Sequence, residues 1–297
     1  VIWVIGSRGM LGSELTERLE KEGRPYIGTD IDVDIRDRQA LRDFADGKGI
    51  QWIVNCSAYT AVDKAEDEED KAFAINAQGA GNVALAAAGN GATLIHISTD
   101  YVFRGDATIP YVETDAVDPA GAYGRTKAEG ERLVQAACPR HFILRTAWLY
   151  GRYGQNFVYT MLKLMSERDT LRVVQDQCGS PTWARDLAEA IIRIIAQGSE
   201  SFGIYHYSGE GQTNWYEFAK EIHRLGRELG ILKRDCILEA IKASEYPAKA
   251  HRPAWSVLSK EKIKTLLGVN VPDWRTSLET FMHEEKSLRK PLADIGR

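Results

Sequence analysis

Val1-Ile2-Trp3-Val4-Ile5-Gly6-Ser7-Arg8-Gly9-Met10-Leu11-Gly12 is the stretch on which the fold turns. Five apolar residues run into three glycines, and Leu11, Leu15 and Leu19 then recur at i, i+4 and i+8. A strand that bends sharply into a helix follows from that pattern. The first glycine permits the tight turn, the second lets backbone approach a pyrophosphate, and the third lets helix and strand pack closely. Glycines alone are weak evidence, because many strand–helix turns want them. With the strand, the helix and a downstream acid in place, the stretch reads as a dinucleotide cradle. Its expected contacts are Gly6, Arg8, Gly9, Met10, Leu11 and Gly12.

Outward from this turn, short apolar runs alternate with amphipathic stretches. Strands are expected at 1–5, 26–29, 52–54, 93–97, 141–144 and 204–207, with helices at 71–88, 157–165, 183–196, 215–229 and 277–285. Strands apolar throughout and interleaved with helices predict an α/β fold, a doubly wound parallel sheet of Rossmann-like type. We expect residues 1–150 plus about 175–210 to form the dinucleotide-binding domain. A smaller C-terminal substrate lobe would comprise about 151–174 and 211–297, with Pro247, Pro253 and Pro272 marking irregular connections.

Bulk properties exclude several classes. The 297 residues carry 44% hydrophobic and 27% charged side chains and a formal net charge of −4. That charge gives no reason to expect nucleic acid or an anionic membrane as partner. Cys56, Cys138, Cys178 and Cys236 form no C-x-x-C pair, so reduced thiols in a cytoplasmic protein are expected. No signal peptide and no membrane-spanning run is visible. His96 and His206 fall inside strands and read as satisfied core residues, and no H-E-x-x-H motif exists. The acidic run Glu66-Asp67-Glu68-Glu69-Asp70 is expected to top a helix as a solvated face, and no metal site is assigned.

Asp30 closes the second strand and can accept the adenosine ribose hydroxyls of NAD. Arg8 and Arg36 could instead welcome an added 2′-phosphate, so NAD and NADP both stay open. Asp34 and Ile35 are expected beside the adenine. Ala58, Tyr59 and Thr60 follow the third strand and Ile97 lies on the fourth, at the carboxyl edge where ligands bind in such sheets. Asn76 either bridges backbone and the active lysine through water or is a helix-interior amide bonded locally.

Tyr123 and Lys127 stand four residues apart, so on a helix they share a face. A phenol, with its ordinary pKa near 10, is a poor proton shuttle unaided. An ammonium one turn away stabilises the phenolate and can also reach the nicotinamide ribose. Thr99, 24 residues upstream of the tyrosine, would place a hydroxyl against the substrate oxygen. Hydride delivered to a carbonyl carbon leaves an alkoxide, which Tyr123 protonates while Thr99 stabilises it. The Y-x-x-x-K spacing alone is common on surface helices. Its distance from Thr99 and the amino-terminal glycines give it weight.

With Ser98-Thr99-Asp100-Tyr101-Val102-Phe103, Tyr123-Gly124-Arg125-Thr126-Lys127, the glycine spacing and the runs at 55–66, 144–151, 179–188 and 252–256, the chain resembles the extended short-chain dehydrogenase/reductases. More narrowly, it resembles the dTDP-4-dehydrorhamnose reductases. The resemblance implies Thr99, Tyr123 and Lys127 as catalysts, with Asp100 and Trp148 contacting a deoxysugar. The reaction implied is reduction of the 4-keto group of dTDP-4-dehydro-β-L-rhamnose by NADPH or NADH. Asn156 and Arg252 are candidates for the nucleotide diphosphate, a planar guanidinium suiting phosphate oxygens. Some members of the family bind Mg²⁺ at a dimer interface through carboxylates, and a homodimer is an expectation on that basis.

Related dehydratases need a carboxylate pair after the threonine, and Tyr101 cannot supply it. A 4-epimerase fits less well than a ketoreductase. A regulatory subunit resembling the methionine adenosyltransferase β-subunit, which binds a dinucleotide without clear turnover, is the rival from another class.

Overall fold

The computed structural model describes residues 1–288; positions 289–297 of the expected C-terminal lobe lie outside the described residues. In chain order the first elements are β1 (Ile2–Ile5), α1 (Met10–Lys21), β2 (Tyr26–Thr29), α2 (Arg38–Ala45) and β3 (Trp52–Asn55). Next come α3 (Val62–Ala65), α4 (Glu69–Phe73), a π-helical stretch Ala74–Gly79, α5 (Ala80–Gly89), β4 (Thr93–Thr99), α6 (Ala122–Ala137) and β5 (His141–Thr146). The later chain adds β6 (Leu149–Tyr150), α7 (Phe157–Glu167), β7 (Thr170–Val174), β8 (Cys178–Gly179), β9 (Thr182–Trp183) and α8 (Ala184–Gln197). It closes with β10 (Gly203–His206), β11 (Thr213–Asn214), α9 (Trp215–Glu228), β12 (Ile237–Ile241), α10 (Glu261–Leu267) and α11 (Trp274–Leu288).

Six strands form one sheet in the order β10-β5-β4-β3-β1-β2, every pairing parallel. Strand β1 lies between β2 and β3, so the winding reverses there and opens a crevice at the carboxyl ends. The glycine turn leaves β1 at that point.

Alternation along β1 explains both layers. Ile2 and Val4 join Leu11, Leu15 and Leu19 of α1 and Leu187, Ile191 and Ile195 of α8 in one core. Trp3 and Ile5 face the other way, onto Leu41, Val83, Ala87 and Val134. Successive strand residues point to opposite faces, so one short apolar run serves two cores. Truncating a fully buried leucine such as Leu15 to alanine would cost about 2–5 kcal/mol. A third core gathers Tyr150, Trp183, Phe218, Trp274 and Phe281 under α7, α9 and α11.

Three sequence expectations are corrected. The helix expected over 71–88 is α4, a π-helical stretch and α5 in succession. Within the acidic run, Glu66 and Asp67 lie between α3 and α4 rather than on a helix top. Glu66 is not merely solvated: its Oε1 accepts the Ala122 N–H at 2.8 Å, capping the start of α6.

Candidate active site

The cradle is built by backbone. Gly6 adopts φ +76°, and a Cβ there would lie 2.8 Å from the Ser57 nitrogen. A Cβ on Gly12 would collide with the Gly6 carbonyl, so α1 approaches β1 only because that side chain is missing. Gly9 is the N-cap of α1 and makes no side-chain cap. The positive end of α1 therefore faces the crevice with first-turn N–H groups suited to a pyrophosphate. The glycine geometry thus fits a dinucleotide.

Asp30 braces this turn: its carboxylate accepts the Arg8 N–H at 3.1 Å. The guanidinium of Arg8 pairs with Asp32 at 2.5 Å, and Arg36 grips Asp34 at 2.6 Å. Both arginines that could hold a 2′-phosphate are already neutralised; Arg36 lines the cleft and Arg8 does not. Ile35 is buried and would meet a Cβ on Gly79 at 2.5 Å, which closes the floor beside the expected adenine position.

Strand β4 runs on to Thr99, two residues beyond the expected end. The Thr99 hydroxyl donates to Asp100 Oδ1 at 2.9 Å and accepts the Tyr101 N–H at 3.2 Å. Helix α6 carries Tyr123 and Lys127 and comes close because Gly124 packs on the Tyr101 carbonyl, where a Cβ would collide. The rings of Tyr101 and Tyr123 meet edge to face at 5.5 Å.

Electrostatics at this edge are dominated by burial. Burial raises the Tyr123 phenol well above its ordinary range and Asp100 adds to that, while a hydrogen bond with Thr99 works against both. Burial lowers Lys127 to about 8, opposed by the charges of Glu131 and Cys56. The Lys127 ammonium donates to the Ile97 carbonyl at 2.6 Å. The ammonium does not bring the phenol's pKa down as expected: burial raises it and Asp100 adds to that. Burial raises Asp100 to about 6 against hydrogen bonds from Thr99 and Ser256, and its Oδ2 has no partner.

Asn76, on the π-helical stretch, accepts the Tyr59 N–H at 2.8 Å and donates to the Tyr59 carbonyl and Thr126 Oγ1, each at 3.1 Å. It touches neither the lysine nor only its own helix; it ties the loop after β3 to α6. The Tyr59 phenol donates to Glu68, so that side chain contributes nothing polar to the cleft.

A cleft of about 790 Å³ connects these parts. Gly6, Gly9, Met10, Leu11, Asp30, Asp34, Ile35, Ala58, Thr60, Ile97, Thr99, Asp100, Tyr123, Lys127 and Trp148 line it together. Cys56, Ser98, Tyr101, Thr146 and Gln155 line it too and were not anticipated. The rule that ligands meet the carboxyl ends of strands would have found Cys56 and Thr146; nothing in the sequence marks Gln155.

Trp148 has φ +48°, alone among the described non-glycine residues in being positive. Its indole stacks on Trp215 with centroids 3.4 Å apart and planes at 7°. One ring face is thereby covered, and Gly179 packs on the same indole, where an added Cβ would lie 2.5 Å from Cε2. Asn156 does not offer its amide: it caps α7 through the Tyr159 N–H at 3.1 Å and donates to the Gly151 carbonyl at 2.8 Å. Arg252 pairs with Asp63 at 3.0 Å, leaving a buried Nε without a partner. His206 is satisfied, its Nδ1 lying 3.2 Å from the Tyr111 carbonyl. His96 is only half so: Nδ1 meets Asn55 at 3.2 Å while Nε2 has no partner.

Among the described residues no group of three or more His, Cys, Asp or Glu could hold a metal ion. No helix among the described residues is long and apolar enough to cross a membrane.

The family model for the RmlD substrate binding domain matches residues 1–287. The dTDP-4-dehydrorhamnose reductase of Aggregatibacter actinomycetemcomitans is 39% identical over 94% of this chain and 97% of its own length. The crystal structure of a dTDP-4-dehydrorhamnose reductase from Clostridium acetobutylicum superposes with a TM-score of 0.90 at 40% identity, covering 96% of this chain and 99% of that one. That of a dTDP-4-dehydrorhamnose reductase from Bacillus anthracis, in complex with NADP, gives 0.89 at 37% identity, covering 95% and 98%.

Proposed function

The chain belongs to the RmlD substrate binding domain family, and from that footing we propose that it reduces the 4-keto group of dTDP-4-dehydro-β-L-rhamnose to give dTDP-β-L-rhamnose. The carrying observation is that Thr99, Tyr123 and Lys127 line the same cleft as the glycine cradle.

NADPH or NADH, held by the turn from Gly6 to Gly12, would supply the hydride. Tyr123 gives its proton to the oxygen at C4, and Thr99 hydrogen-bonds that oxygen as charge develops. Lys127, one turn along α6, stabilises the phenolate left behind. Asp100, whose buried Oδ2 has no partner, accepts from a sugar hydroxyl. Trp148, which lines the cleft, packs against the apolar side of the deoxyhexose. Arg8 and Arg36 reach a 2′-phosphate by exchanging exposed partners, which costs little because surface ion pairs contribute about 0–1 kcal/mol. Both cofactors are thus accommodated.

Incubating the protein with the 4-keto sugar and each cofactor, then reading the product by NMR, tests this. Cofactor oxidation with appearance of the 4-hydroxy sugar is expected. Dinucleotide binding without turnover on any nucleotide 4-ketosugar would overturn it.

A further inference from the structure

We propose that Glu131 is a positioning residue: gripped by Ser98 and Arg145 from two adjacent strands, it fixes the part of α6 that carries Lys127 against the end of β4. The inference rests on the reductase reading above and extends it.

Ser98 and Arg145 are register partners across the β4–β5 pair. Ser98 Oγ donates to Glu131 Oε1 at 2.5 Å. Arg145 Nε donates to the same oxygen at 2.9 Å and its terminal nitrogen to Oε2 at 2.7 Å. Glu131 and Arg145 are 2% and 1% exposed, so the carboxylate is wholly committed inside the protein. On α6, Glu131 follows Lys127 by four residues and so lies on the same face, one turn on.

The strand side is equally ordered. Ile97 takes the Lys127 ammonium on its carbonyl, Ser98 takes Glu131, and Thr99 presents its hydroxyl to the reacting edge. Two consecutive strand residues thus hold two consecutive turns of the catalytic helix. A shift of α6 along β4 that moved Tyr123 from Thr99 would break both bonds, and small misplacements of reacting groups are costly.

A buried ion pair serving stability alone is the simpler alternative, and such pairs are often replaceable by apolar residues. It leaves unexplained why a serine beside Thr99 completes the pair. Charge sharpens the point. Facing Lys127 are Glu131 from α6, Cys56 from beyond β3, and His96 from β4. Facing Arg145 are Glu131, His206 of β10 and Glu113. Glu131 holds the ammonium's proton on against burial.

Ser98→Ala removes the strand–helix bond while leaving the ion pair, and Glu131→Gln removes the charge. For Ser98→Ala we expect kcat to fall about tenfold or more with KM for sugar and cofactor unchanged, the signature of lost transition-state alignment. For Glu131→Gln we expect the titration of Lys127, followed by NMR of 13C-lysine in the cofactor-free protein, to move down by about one pH unit. Circular dichroism and melting report whether each variant is folded; if Glu131→Gln is not, Ser98→Ala decides alone. Wild-type kcat in Ser98→Ala, or an unmoved Lys127 titration in folded Glu131→Gln, overturns the proposal. A wild-type protein that turns over no ketosugar overturns the reductase reading instead, and the lysine titration still decides this one.

Discussion

The ammonium of Lys127 is bound to the Ile97 carbonyl at 2.6 Å, so the helix bearing Tyr123 is pinned to the strand that ends in Thr99. The pin explains how a lysine can remain 1% exposed and yet be satisfied.

Replacing the phenol tests the acid directly. Tyr123→Phe should lower kcat by about 10²–10⁴, the usual contribution of a placed proton donor, while cofactor affinity persists. Steady-state kinetics alongside fluorescence titration of NADPH would show it. Wild-type turnover in this variant would remove Tyr123 from the mechanism.

Lys127, lowered to about 8 by burial, sets a basic limb. If its charge stabilises the phenolate, kcat/KM should fall above pH 8 and approach a tenfold loss per pH unit. A profile level to pH 10 would mean that the charge is irrelevant.

Much of this site was legible because its signals are local. The apolar run 1–5, the three glycines and the i, i+4 spacing of Tyr123 and Lys127 each sit within one or two turns of chain. What escaped depends on distant partners. Glu66 caps α6 from 56 residues away, and nothing in an acidic run announces that. The π-helical stretch escaped because an alanine-rich segment reads the same in either helix. The N-cap role of Asn156 was not read although its signal was present: an asparagine directly before an apolar helical run is an N-cap signature. The helix Arg38–Ala45 was missed because only Leu41 and Ala45 are buried along it.

Gly12→Ala should damage the cradle without touching the catalytic edge. The added methyl meets the Gly6 carbonyl, and overpacking of this kind costs about 1–3 kcal/mol. Cofactor Kd should rise at least tenfold, measurable by calorimetry, together with a lower melting temperature. Unchanged affinity would place the pyrophosphate elsewhere.

Asp186 gives a stability test away from the cleft. Burial raises it to about 6 despite a hydrogen bond from Ser277. A carboxyl whose folded pKa exceeds its unfolded one binds more protons folded, so its contribution declines as pH rises from about 4 to 6 and is level above. Asp186→Asn should thus leave stability nearly unchanged at pH 4 and increase it above pH 6. Two pKa units at about 1.4 kcal/mol each set an upper bound near 3 kcal/mol. Denaturant melts of both proteins at pH 4 and 8 would check it, and an equal difference at the two pH values would refute it.

The left-handed backbone at Trp148, with its indole flat on Trp215, carries a lesson for anyone retuning this protein towards other sugars. Most residues placed there would inherit the awkward torsion without the stack that offsets it; glycine would relax the chain but erase the platform. A saturation library at position 148 alone should therefore return few folded, active clones. Libraries that vary 148 and 215 as a pair are the ones worth screening.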